Sequence, residues 1–402
     1  MEQYHRSENV VDLQKCLLNW FKDNKREMPW RTSVTPYGTL VSEIMLQQTQ
    51  VSTVIPYFNR WMEKFPTIQH LANANEDDVL QMWKGLGYYS RATRLIKAAK
   101  MIVDEFDGEI PTTRQQILKI PGIGPYTAGA ILSIAYDLQE PLIDGNVIRV
   151  LSRVFGILKR PESRINAKDC KTVDEYLWKI ARDIVPKINP GFFNESLMEL
   201  GSEVCTPKQP KCAECPIQSH CELRKFIRKR DLDKSNAFFK TKTISKQLSL
   251  HGDGTICELC DIEDVAILTI EDIPKPKPRL SAKIKENCVL YIVNEDMKIL
   301  VEQRPKRGLL ASLWQFPMVD SFGKEEAALF FDPLNCESKY LDTISHVFTH
   351  FKQILKIYKI KSSLEVENRF KGQWVAPSDL YGENSKFPLW TGMVKVMALC
   401  EK

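Results

Sequence analysis

No stretch of this 402-residue chain approaches the ~18 consecutive apolar residues needed to cross a bilayer, so a membrane-spanning reading is excluded. Met1 to Val10 lack the apolar core of a secretory signal and the Arg-rich amphipathic pattern of a transit peptide, and an intracellular protein is expected. Strong charge of one sign is missing too. Lys and Arg total 56 against 51 Asp and Glu, a net +5 that permits nucleic acid as a partner without requiring it. No internal repeat relates the two halves. Cysteine, in contrast, is plentiful at 11, and Cys16, Cys170, Cys288, Cys336 and Cys400 stand singly, as in a reducing compartment where thiols ligate metals instead of pairing. A hydrophobic content of 43% and a charged content of 27% are ordinary for a soluble protein, and the length suits two or three domains.

Cys205, Cys212, Cys215 and Cys221 stand at the spacing C-x6-C-x2-C-x5-C. An all-thiolate set suits zinc or an iron–sulfur cluster. A zinc ribbon pairs two C-x2-4-C knuckles across a long gap; here one C-x2-C is flanked by single cysteines, which favours a 4Fe–4S cluster. Pro207, Pro210 and Pro216 predict a loop wrapped around its metal, and Lys208 and Lys211 give it a basic surface for an anionic partner.

Residues 1–230 read as successive helices: Leu13, Cys16, Leu17 and Trp20 recur at helical spacing, as do Val51, Val54, Ile55 and Phe58, then Leu95, Ala98, Ala99 and Ile102. Strand signals are nearly absent there. Residues 231–286 form a polar connector ending in the stiff basic run Pro274 to Arg279. From 287 to 402 the pattern changes to short β-branched runs, Val289–Val293, Ile299–Glu302, Ile354–Ile360 and Gln373–Val375, with helical stretches at Lys324–Phe331 and Thr391–Leu399, an α+β domain.

Within residues 118–130, Pro121-Gly122-Ile123-Gly124-Pro125 joins one helix to the next, and glycines let backbone N–H groups approach a phosphate at the second helix. Such a hairpin holds a DNA backbone without reading its sequence. This hairpin, followed by Ile143-Asp144-Gly145-Asn146-Val147-Ile148-Arg149 and the four-cysteine loop, resembles the helix-hairpin-helix DNA glycosylase superfamily, and most closely the MutY-type adenine DNA glycosylases. Met28-Pro29-Trp30-Arg31, Val41 to Val51 and Gly85 to Ala92 carry the resemblance further, over nearly the whole chain. It implies a multidomain fold: an all-α helix-hairpin-helix glycosylase domain with an iron–sulfur loop, plus an α+β Nudix-like C-terminal domain. The implied activity is monofunctional removal of adenine opposite 8-oxoguanine or guanine in double-stranded DNA, by a nuclear monomer with a mitochondrial pool.

Breaking a glycosidic bond needs a protonated acid at the leaving group and a carboxylate at the oxocarbenium-like sugar. Glu43 lies among Leu40, Val41, Ile44, Met45 and Leu46, where burial would raise its pKa; Asp144 sits in a polar turn with Asn146, where hydrogen bonds favour its ionised form. From spacing alone, Glu43 also reads as a solvated helix residue and Asp144 as a helix cap. The resemblance makes Glu43 the acid that protonates adenine and Asp144 the stabiliser of the sugar cation. It places Tyr126 against the flipped nucleotide's sugar, where endonuclease III-like relatives carry a lysine that forms a Schiff base; a phenol cannot. It assigns Gln48, Thr49 and Tyr88 to wedging open the duplex, Gly122 and Gly124 to the DNA backbone, and Glu195 to the adenine pocket. Arg31, Arg91 and Arg149 are candidate phosphate or base contacts.

In the connector, His251, Cys257 and Cys260 (H-x5-C-x2-C) suggest zinc, as in the connector of animal homologues, with Cys170 a candidate fourth ligand; repair and checkpoint proteins are the implied partners. In the C-terminal segment, Gln303 to Pro317 and His346 to Phe351 resemble the Nudix-like domain of MutY, in which Phe348, Thr349 and His350 would read 8-oxoguanine. The Arg-Glu-rich helix by which a Nudix hydrolase holds Mg²⁺ is missing, because Gly323-Lys324-Glu325-Glu326 followed by Ala327 to Phe330 offers too few carboxylates at the right places, so recognition rather than hydrolysis is expected. Two other readings are an endonuclease III-like lyase, which lysine at 126 would favour, and a non-catalytic damage binder, which loss of Glu43 or Asp144 would favour.

Overall fold

The computed structural model describes residues 7–167, 170–235, 269–274, 283–305, 308, 310, 313–348, 351–380 and 387–401. His251, Cys257, Cys260, Thr349 and His350 lie outside the described residues. The chain divides into two compact units, residues 1–47 with 104–278 and residues 48–103 with 279–402.

The first unit is built from the helices Ser7–Asn24, Pro36–Leu46, Pro125–Ala130, Gly145–Val154, Val173–Ile184, Pro190–Glu203 and Glu222–Ser235, with shorter turns between them. Leu13, Leu17, Val147, Val150, Leu177, Phe193, Leu200 and Leu223 share one core. Helix starts follow local chemistry. Pro36, Pro125 and Pro190 stand in the first turn, where a missing N–H costs nothing. Thr35, Asp144 and Thr172 cap by accepting from the N–H of Gly38, Val147 and Glu175. Helix Pro36–Leu46 is buried all round from Gly38 to Met45, as its apolar sequence dictates, and it carries its single acid, Glu43, into the interior. After the hairpin, Pro125–Ala130 passes directly into a π-helical turn at Ile131–Ala135.

One departure from the all-helical reading is a small antiparallel ribbon, Arg164–Ala167 with Cys170–Thr172. Its strands are too short and polar to show alternation. Cys170 is 6% exposed within the core.

In the second unit, helices Val51–Lys64 and Ser90–Phe106 match the predicted helical runs, the latter extending beyond residue 103. The C-terminal part is a mixed sheet. Strands Lys283–Val293 and Phe351–Lys361 pair in parallel along 11 residues at its centre, flanked by Ile299–Gln303 and by Ser338–Val347. Cys288 through Ile292 are buried on both faces, as a central parallel strand requires. Strand Lys283–Val293 begins before residue 287, and Lys283 to Glu286 are exposed: pairing with Phe351–Ile354 holds them extended, which their own sequence does not encode. Among the described residues no helix is long and apolar enough to cross a membrane.

Candidate active site

Glu43 is 6% exposed, and its carboxyl is pushed up to about 7. Burial is the main cause; a hydrogen bond from Tyr126 opposes it, the charges of Asp144 and Glu195 add to it, and Arg31 opposes it. Oε2 of Glu43 has no hydrogen-bond partner among the described residues. A buried acid with a near-neutral pKa and an uncommitted oxygen can hold a proton and hand it to a bound group. The Tyr126 phenol is held well above its ordinary range, first by burial and then by Glu43 and Asp144, so it stays protonated; its hydroxyl also lies 3.3 Å from Met198 Sδ.

Asp144 does both things its sequence context allowed. It caps helix Gly145–Val154 through Oδ1, 2.7 Å from the N–H of Val147, and Oδ2 accepts from Asn146 Nδ2 at 2.8 Å. Asn146 Oδ1 in turn accepts from Arg149 Nη2 at 2.8 Å, and Arg149 donates from Nε to the Cys205 carbonyl and from Nη2 to that of Gly201, both at 2.7 Å. A Cβ on Gly201 would meet that of Asn146 at 2.6 Å, so the glycine makes room for this chain of bonds. The Asp144 carboxylate is thus oriented by a path that ends on the backbone of the first cluster cysteine. We expect Arg149→Gln to slow any reaction that uses the Asp144 carboxylate about tenfold or more, since small misplacements of a reacting group are costly. Helical content should be unchanged by circular dichroism, and a rate within twofold of wild type would contradict the path.

Arg31 binds Glu195 at 2.6 Å and Glu199 at 3.1 Å, while Arg26 binds Glu199 and Glu203. Burial raises the Glu195 pKa despite Arg31; at Glu199 burial acts the same way, but Arg26 and Arg31 outweigh it and lower the pKa. The Arg31 guanidinium is therefore committed to carboxylates within the first unit.

The four cysteines surround a cavity with apolar walls from Val150, Val154, Leu200, Val204 and Ile217. Burial pushes the Cys215 thiol up to about 12 and that of Cys221 to about 11, and raises Cys205 as well. Four thiols converging on one cavity with apolar walls are a donor set that fits an iron–sulfur group. Arg153, 1% exposed, braces the loop: it donates to the carbonyls of Thr206 and Ile273 at 2.8 Å each and reaches Cys205 Sγ at 3.5 Å. It lies one turn beyond Arg149, a spacing that put both arginines on one helix face and was the signal available in the sequence.

In the second unit, Gln48 (φ 59°) and Tyr88 (φ 48°) hold left-handed backbone conformations, costly for side chains of their size. Gly85 and Gly87 share the positive-φ region at 92° and 75°. Tyr88 is 49% exposed whereas Tyr89 is 4% exposed, so the first projects and the second serves the core. Arg91 was a candidate DNA contact and is instead buried at 4% exposure, as Arg149 is at 9%. Its Nη2 donates to Thr49 Oγ1 at 3.1 Å and to the carbonyls of Leu86 and Gly87, and its guanidinium lies over the rings of Trp83 and Tyr88. Burial lowers its pKa to about 10, which leaves it charged at neutral pH. It ties the two strained turns together. Arg91→Gln is expected to forfeit roughly 1–3 kcal/mol of preorganisation, read as about a fivefold or greater loss of affinity in a titration with duplex DNA, the ligand that the resemblance implies. Unchanged affinity would contradict the clamp.

Gly122 has φ 87°, and Gly124, the residue capping helix Pro125–Ala130, has nothing within 4 Å of where a Cβ would stand. That opening leaves the backbone accessible. Gly129 differs: its Cβ would meet the Pro141 carbonyl at 2.1 Å, so its small size serves packing. Phe348 turns the chain between strands Ser338–Val347 and Phe351–Lys361, its N–H donating to the Phe351 carbonyl at 2.9 Å while its ring stacks on Phe351 and contacts His346.

Residues 41–195 match the HhH-GPD superfamily base excision DNA repair protein model, 205–221 the iron–sulfur binding domain of endonuclease III, and 288–399 the NUDIX domain. The chain is 36% identical over 389 residues to an adenine DNA glycosylase of Rattus norvegicus, covering 89% of this chain and 72% of that protein. It is 35% identical to that of Homo sapiens, covering 89% and 69%. The chain belongs to the adenine DNA glycosylase family. The Schizosaccharomyces pombe member is 31% identical over 92% of this chain and 86% of its own length. Among solved structures, a thermostable thymine-DNA glycosylase aligns with 54% of this chain and 96% of its own at 25% identity and a TM-score of 0.48. As a glycosylase of this family the protein combines a helix-hairpin-helix catalytic region, an iron–sulfur binding motif and a Nudix-like α+β domain.

Proposed function

We propose that this glycosylase excises adenine paired with 8-oxoguanine, or with guanine, and leaves an intact abasic strand. The observation that carries the reading is the buried, near-neutral Glu43 beside Asp144 and Tyr126. Glu43 protonates the adenine ring, the bond from the base to C1′ of the sugar breaks, and Asp144 stabilises the cationic sugar until water adds at C1′. Asn146 keeps Asp144 oriented, and Glu195 adds to the negative charge that keeps Glu43 protonated. Tyr126 lines the sugar side of the pocket, and without an amine there no Schiff base forms.

Gln48, Thr49 and Tyr88 fill the space left by the flipped adenine, on turns whose strain fits preorganisation. The backbone at Gly122 and Gly124 holds a phosphate. Phe348 with Thr349 and His350 reads the 8-oxoguanine, a hydroxyl accepting the extra N–H of the oxidised base. Four irons in a 4Fe–4S arrangement suit the four thiolates, which brace the loop and do no chemistry on the base. Zinc at His251, Cys257 and Cys260, protein partners of the connector, action as a monomer and a nuclear location complete the proposal.

The test is a single-turnover assay on duplexes carrying adenine opposite 8-oxoguanine, guanine or thymine. Free adenine should appear fastest from the 8-oxoguanine pair, and strands should break only after heat or alkali. Rapid strand scission by the protein alone, or equal release from all three duplexes, would refute the reading.

A further inference from the structure

Asp12 and Cys16 stand one turn apart on helix Ser7–Asn24 and share a face, and His220 meets them from the turn just before Cys221. One ligand atom from each residue lies within 4.8 Å of the other two. His220 Nε2 is 3.0 Å from Asp12 Oδ2. An imidazole–carboxylate hydrogen bond joins two of these groups, and the thiol, at the edge of the core, stands beside them. The imidazole is 10% exposed and the carboxylate 65%, so the trio is closed on the protein side and open to water on the other.

We propose that Asp12, Cys16 and His220 form a divalent transition-metal site, with zinc the best match to one carboxylate oxygen, one thiolate and one imidazole nitrogen. Zinc bonds of about 2.0–2.3 Å in a tetrahedron set ligand atoms roughly 3.3–3.8 Å apart. The Asp12–His220 separation of 3.0 Å opens slightly and the wider pairs close, movements that side-chain rotation of the half-open trio supplies. Water takes the fourth position on the exposed side. Binding displaces the Cys16 thiol proton to solvent, together with any proton the ligating imidazole nitrogen carries, so the step balances as zinc in and at least one proton out. None of the three residues belongs to the four-cysteine set or to the connector trio. The bound ion would pin the first helix to the cluster loop next to its last cysteine. Toward its other end the same helix already packs Phe21 on Phe192.

The experiment uses the iron-loaded full-length protein with Cys257→Ser and Cys260→Ser, so that the connector does not contribute zinc. After chelation that leaves the iron in place, zinc is titrated while bound zinc, bound iron and released protons are measured. One equivalent of zinc with unchanged iron and at least one proton released is expected, with affinity at least about tenfold weaker in both Asp12→Asn and Cys16→Ser. Asp12 is mostly exposed, so its variant separates ligation from folding. No bound equivalent, uptake only at the expense of iron, or undiminished affinity in either variant would overturn the site.

Discussion

Glu43→Gln is expected to reduce single-turnover adenine release by about 10²–10⁴-fold, the usual contribution of a general acid, while the protein still binds mispaired duplex. Glutamine keeps the shape and the acceptor facing Tyr126 but carries no transferable proton. The same substitution should stabilise the folded protein at alkaline pH. The unfolded chain releases this proton near the ordinary 4.5, whereas the folded protein keeps it up to about 7. Between those values the native state binds more protons than the unfolded state, so the contribution of Glu43 to stability falls as pH rises and levels off above about 7. The full difference is on the order of 3 kcal/mol at pH 8, and glutamine escapes it. A variant that is inactive, binds DNA and melts higher than wild type at pH 8 is the expected combination. An inactive variant that melts lower would mean that Glu43 holds the fold, and its inactivity would then say nothing about proton transfer.

Asp144→Asn should cost at least as much. Removing one preorganised group that stabilises transition-state charge lowers turnover by roughly 10²–10³-fold, and on the proposed mechanism the substitution takes away the carboxylate that stabilises the cationic sugar. The fold should survive, because asparagine caps helices about as well as aspartate and can still accept from the N–H of Val147. The side chain of Asn146, which now donates to Asp144 Oδ2, would face either an amide oxygen or an amide NH₂, and only the first orientation keeps the bond. The expected result is near-normal melting with release too slow to follow at the wild-type enzyme concentration. Activity within fivefold of wild type would show that capping is the only task of Asp144.

Much of this site was legible because its signals are local. The four cysteines announce themselves by spacing, and the apolar run around Glu43 foretells a helix buried on all sides. The hairpin glycines mark a turn, and the structure leaves open space at Gly124. The arginines were read less well. Arg91 and Arg149 were candidate contacts for phosphate or base; both are buried, Arg91 donating to Thr49 and to the carbonyls of Leu86 and Gly87, Arg149 to Asn146 and to the distant carbonyls of Gly201 and Cys205. Which of Tyr88 and Tyr89 would project could not be read from composition either, because the positive φ at Tyr88 decides it. Strand Ser338–Val347 carried no alternating pattern, being mostly exposed; its partner Phe351–Lys361 dictates it.

The central claim is that a buried, protonated Glu43 delivers the proton that releases adenine. The most direct test is the single-turnover rate of adenine release from a duplex with adenine opposite 8-oxoguanine, measured across pH with enzyme in excess. The rate should fall above about pH 7, approaching tenfold per unit as Glu43 loses its proton. A rate that stays level from pH 6 to about pH 9, where a carboxyl of this pKa is ionised, would contradict the account.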